Sequence, residues 1–151
     1  MYSNILAAID HGPCMTSVST HAIKQAVAFD AKLTLCHIKK NTVLYKSMLP
    51  GKKSASESIV QDHSYAMDEA LERIKKGALK MGVKEVEIVQ TYSASPGIAL
   101  ADIIVPGYEV DLIVTGRSNK SSLSRLLLGS VSSNIMHYAT CDVLLVKAKA
   151  H

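Results

Sequence analysis

The chain has 151 residues, 48% hydrophobic and 20% charged, with 17 Lys+Arg against 13 Asp+Glu for a formal net charge of +4. That length and composition describe one domain of ordinary size with its own core, and exclude a disordered or fibrous chain. The scattered lysines, one Phe and absent Trp argue against a nucleic-acid platform, and three cysteines without a CxxC pair argue against a secreted disulfide framework.

The elements follow in chain order from changes in apolar period. Ile5–Ile9 is a continuous apolar run, as in a parallel strand buried on both faces, and it ends at Asp10-His11-Gly12-Pro13. Helical spacing of Val18, Ala22, Ile23, Ala26 and Val27 predicts a helix over 16–30, and residues 33–38 read again as a strand. A Lys- and Ser-rich stretch at about 39–56, punctuated by Pro50-Gly51, is expected to be a mobile loop. From Glu57 the helical period returns through Met67, Leu71, Ile74 and Ala78, and Gly82 supplies the stop. Residues 83–91 alternate as a strand. Ser95-Pro96 opens a helix, with Ser95 as N-cap, which Pro106 is expected to end at Val105. Asp111–Gly116 is a strand, Gly129-Ser130 opens a helix to about Tyr138, and residues 141–147 form the last strand.

Strict β-α alternation with no internal repeat predicts a single α/β domain over residues 1–151, a doubly wound parallel five-stranded sheet with helices on both faces. Such sheets bind ligands at the carboxyl ends of their strands. The longest apolar runs fall far short of the about 18 residues a membrane span needs, and the first residues lack a cationic n-region, so a cytoplasmic protein is expected, with neither membrane nor nucleic acid as partner.

The chain has no G-x-x-x-x-G-K-[ST], no G-x-G-x-x-G after the first strand, no G-x-S-x-G and no H-x-x-x-H. No metal site is expected. What remains is the segment from Gly116 to Ser132. A glycine at a strand end lets a ligand approach the backbone. Gly129-Ser130 then presents the N–H groups of a helix start, an anion seat to which Ser130 and Ser132 add hydroxyls and Arg117, Lys120 and Arg125 add charge. Asp10 would lie across the crevice. By spacing alone the glycine and serine fit a plain helix cap as well as a phosphate site, and Asp10 fits loop capping as well as ligand binding.

The segment Gly116-Arg117-Ser118-Asn119, nine residues, then Gly129-Ser130, resembles the signature of the universal stress protein family: glycine, two residues, glycine, nine residues, glycine, then Ser or Thr. Asp10 after the first strand, Asp111–Val114, Arg125–Val131 and Cys141–Val146 extend the resemblance from end to end. It implies strand order 3-2-1-4-5, a homodimer, and ATP or AMP as ligand, with or without Mg2+; the apolar last strand at 142–147, read as a sheet edge, is where a second copy is expected to pair unless the chain's own helix covers it. Asp10 would then hold the ribose and the Ile38 backbone would contact adenine. Gly116 would border the ribose, and Asn119, Gly129, Ser130 and Val131 would bind the phosphates, helped by the Ser130 and Ser132 hydroxyls beside Arg117. Asn119 stands where the signature has its second glycine, and His11-Gly12-Pro13 where Gly-Ser is frequent.

Three functions compete. One is a stress-response regulatory protein that binds an adenine nucleotide. Another is a nucleotide-free dimeric protein of the same family that acts through a partner. The third is an enzyme, at most a slow ATPase, because apart from Asp10 the motif offers no general base near the phosphates. His11 and His37 fall at strand ends and read first as structural.

Overall fold

The computed structural model describes residues 1–40, 55–117 and 130–148, with residues 55–64 described by backbone alone. The chain runs β1 (Asn4–Ala8), α1 (Met15–Phe29), β2 (Lys32–Lys40), α2 (Ala55–Lys80), β3 (Val86–Ser93), α3 (Pro96–Ala99), a π-helical stretch (Leu100–Ile104), α4 (Val105–Gly107), β4 (Leu112–Gly116), α5 (Ser130–Tyr138) and β5 (Asp142–Val146). The five strands form one sheet in the order β3-β2-β1-β4-β5. β1 pairs in parallel with β2 from Asn4↔Lys32 to Ala8↔Cys36, and with β4 from Ile5↔Leu112 to Ala7↔Val114.

Period-2 alternation sends neighbouring side chains to opposite cores. Ile5, Ala7, Leu33, Leu35, Val86 and Val114 pack with Val18 and Ala22 of α1 and Met67 and Leu71 of α2. Leu6, Cys36, Val89 and Ile113 pack on the other face with Leu100, Ile104 and Val105, and with Ile135 of α5. Burial on both faces is why β1 and β4 read as unbroken apolar runs. Among the described residues no helix is long and apolar enough to cross a membrane.

Helix endings account for the differences from the expected boundaries. After α2, Gly82 sits at φ +100 and donates to Leu79 O, while Val83 N–H reaches back to Ala78 O at 3.1 Å. Val83 therefore belongs to a Schellman turn and is buried beneath it, so β3 begins at Val86 rather than at 83. The loop expected at about 39–56 loses both ends, with Lys39 and Lys40 in β2 and residues 55 and 56 in α2; residues 41–54 lie outside the described set. Val27, expected on the buried face of α1, is 43% exposed.

The helix expected to end at Val105 instead carries Pro106 inside it. In a regular helix the proline ring would press on the carbonyl four residues back. Here Leu100–Ile104 widens to π geometry, Val105 N–H donates to Leu100 O, and Tyr108 N–H resumes at Ile104 O. Ser95 occupies the N-cap position without a side-chain cap bond; its own N–H donates to Ser93 Oγ at 3.1 Å.

Candidate functional site

The strand order reverses between β1, which is followed by β2 on one side, and β4 on the other. At that switch point the connections leave in opposite directions, the feature that in doubly wound sheets makes a ligand crevice beyond the strand carboxyl ends. Asp10 follows β1 and is exposed. Its Oδ1 accepts the Gly12 N–H at 3.0 Å, an Asx-type turn, and Met15 N–H donates to Gly12 O at 3.1 Å as α1 begins. The loop-capping role is thus real, and it engages one of the two carboxylate oxygens.

Ile38 lies near the end of β2, where the direction of its backbone groups follows from the ladder. Lys32 N–H donates to Ser3 O, and Cys36 O accepts from Ile9 N–H at 2.8 Å. Even-numbered residues of β2 therefore point their N–H and C=O toward β1. The β1–β2 pairing ends at Ala8↔Cys36, so the main chain of Ile38 points past the end of β1 into the crevice. At the same place His37 Nδ1 lies 2.8 Å from Ile9 O. A carbonyl only accepts, so Nδ1 carries the proton. Burial pushes the His37 imidazole below its ordinary value, against the Ile9 hydrogen bond, and Lys39 and His11 add to the lowering. The His11 ring stands edge-on to it, 6.3 Å between centroids, and Lys39 Nζ lies 5.6 Å from the Tyr92 ring centroid.

On the β4 side, Gly116 ends the strand and Arg117 N–H donates to Val146 O at 2.8 Å. What needs the glycine at 116 within the fold is α1: a Cβ there would lie 2.5 Å from Cys14 Cβ. Cys14 Sγ donates to Arg117 O at 3.1 Å. Ser132 is buried, and its hydroxyl donates to Gly116 O at 2.7 Å, tying the first turn of α5 to the end of β4. Ser130 and Val131 are exposed in that turn. Close crossing sets its position: a Cβ on Gly97 of α3 would lie 2.7 Å from Val131 O and 2.8 Å from Asn134 Cβ.

The fold thus gathers Asp10, Ile38, Gly116, Arg117, Ser130, Val131 and Ser132 at one end of the sheet. Asn119, Gly129, Lys120 and Arg125 lie outside the described residues. Sequence reasoning did not single out Cys14, Gly97 or the His37–Ile9 bond. Each depends on a partner far along the chain, and no local pattern marks it. Among the described residues no group of His, Cys, Asp or Glu is placed to hold a metal ion.

The universal stress protein family model matches residues 1–147. A universal stress protein of Staphylococcus aureus (strain USA300) is 29% identical over 148 residues, 98% of this chain and 86% of its own length. In structure, the chain superposes on a universal stress protein from Lactobacillus plantarum with TM-score 0.77 at 19% identity, covering 96% of this chain and 97% of that one. A universal stress protein solved in complex with cAMP gives TM-score 0.72 at 22% identity, covering 98% and 99%. The strand order agrees with these likenesses, and the chain belongs to the universal stress protein family.

Proposed function

We propose that this chain is a stress-response regulatory protein that binds an adenine nucleotide, ATP or AMP, in the crevice at the strand carboxyl ends. The observation that carries this reading is the convergence there of a carboxylate, an outward-facing backbone pair and a helix start. Asp10 offers its second oxygen to a ribose hydroxyl. Ile38 offers N–H and C=O to the base. The first turn of α5 offers N–H groups to phosphate, and Ser132 fixes that turn against Gly116. That a family member was solved with cAMP supports the choice of adenine. Binding, rather than turnover, is the activity we assign; hydrolysis would be slow, since the motif offers no base apart from Asp10. The family signature assigns Asn119 and Gly129 to the same phosphate seat, and Mg2+ would enter with ATP.

Calorimetry with ATP and AMP, with and without Mg2+, tests this. Binding of about micromolar strength is expected, weakened roughly tenfold by Asp10→Ala, the loss of one hydrogen bond to a charged group, and abolished by Gly129→Leu. If only Asn119→Gly binds, the seat is closed in this protein. One observation would then favour the nucleotide-free reading, in which the chain acts through a partner as a homodimer: β5 is a sheet edge carrying half-buried Val143, Leu144 and Leu145.

A further inference from the structure

The hydrogen bond from His37 to Ile9 sits where the next rung of the β1–β2 ladder would form. In a parallel ladder each even residue of β2 accepts at its carbonyl from β1 and donates its N–H to β1. Cys36 O takes Ile9 N–H at 2.8 Å; continued, the pattern would send Ile38 N–H to Ile9 O. That carbonyl instead accepts the imidazole N–H of His37 at 2.8 Å, and the chain turns away at Asp10.

We propose that His37 is the positioning residue of the base seat: by taking the Ile9 carbonyl with its side chain it ends the ladder one rung early and leaves the Ile38 N–H and C=O to a purine. This rests on the nucleotide reading above and assigns a cause to the exposed backbone pair in it. Adenine presents an acceptor at N1 beside a donor at N6, and one residue's N–H and C=O match that pair. Guanine presents the reverse order, so with the ribose held at Asp10 its O6 would face the Ile38 carbonyl, acceptor against acceptor. The bond also fixes the β1–α1 turn that carries Asp10, so base and ribose seats share one anchor.

The test uses the full chain, ATP and GTP as probes, and amide hydrogen exchange at Ile38. In the native protein the Ile38 amide is expected to exchange freely and to become protected when ATP binds. His37→Phe keeps a ring but no donor. It is expected to release the Ile9 carbonyl to Ile38, protect that amide without nucleotide, weaken ATP about tenfold and narrow the preference for ATP over GTP. His37→Gln keeps an N–H donor and is expected to restore both readouts, which separates positioning from a general loss of fold. ATP affinity within about twofold of native in His37→Phe, or an Ile38 amide as exposed there as in the native chain, overturns the proposal and leaves the nucleotide reading standing. No nucleotide binding by the native chain overturns both.

Discussion

At the scale of single residues, the site is held by bonds that each do a structural task. The Asp10 carboxylate caps its own turn, the Ser132 hydroxyl donates to Gly116, and Cys14 donates to Arg117 O. His37 shows how such a bond enters stability. Burial, the largest cause, depresses its folded-state pKa below the ordinary 6.5. As pH falls, the unfolded chain takes up this proton first. The stabilisation is complete above about pH 6.5, is lost as pH drops through the window between 6.5 and the folded value, and loses nothing further below it. Urea midpoints at about pH 7.5 and about pH 5.5 measure this. The drop in the native chain is expected to exceed that of His37→Gln, and equal drops would remove His37 from the account. Cys36 titrates outside any such window, because burial pushes its thiol up to about 12.

At the scale of elements, three helices end in the same way. After α1, Asp30 has φ 54 and Ala31 N–H reaches Ala26 O at 2.9 Å. After α2, Gly82 and Val83 repeat the arrangement, and after α4, Glu109 has φ 50 while Val110 N–H reaches Val105 O at 3.0 Å. In each the residue that follows, Ala31, Val83 or Val110, is buried as the chain heads into the next strand. Only Gly82 was legible as a stop, since glycine is the residue that adopts a positive φ without steric cost. Asp30 and Glu109 accept the left-handed geometry because the buried residue behind them over-determines it. Glu109→Gly should therefore stabilise the protein by about 0.5–1 kcal/mol, the relieved strain less the added freedom of the unfolded chain. Asn4 Nδ2 donates to the main-chain carbonyl of residue 109, which glycine keeps. Thermal or urea unfolding reads the change, and a loss of stability would mean the backbone there is not strained. The π-helical stretch before Pro106 was illegible for a related reason. Proline disfavours a regular helix at the residue before it, and the sequence does not show that packing of Leu100, Ile104 and Val105 holds the helix together around a wider turn.

At the scale of the whole molecule, strand count and order were legible. Apolar period and the glycine-serine signature are local in sequence. The contacts that set the crevice's width were not, because Gly116 meets Cys14 and Gly97 meets Val131 only after the crossovers close. The other edge of the sheet poses the remaining assembly question. Arg117 N–H donates to Val146 O and Asp142 N–H to Asp111 O, so Asp142, Leu144 and Val146 point their backbone groups at β4. Val143 and Leu145 point theirs outward, along an edge where Val143, Leu144 and Leu145 are half-buried. An open cleft of about 310 Å3 lies beside this edge, lined by Tyr2, Gln25 and Asp142 and by the half-buried Val143 and Leu144. We expect a second copy to pair there, strand to strand. Leu145→Pro removes an outward N–H and touches no bond of the β4–β5 ladder, and it keeps Leu144 in the extended conformation it already has. The variant should keep its circular dichroism spectrum and melt within a few degrees of native while sedimenting as a monomer. Leu144→Pro, which removes an inward N–H, should instead lose about 1–3 kcal/mol of stability, the cost of leaving its β4 acceptor unsatisfied. A dimer as stable in Leu145→Pro as in the native chain would place the contact elsewhere, because pairing across β5 would lose one of its two outward N–H donors, those of Val143 and Leu145.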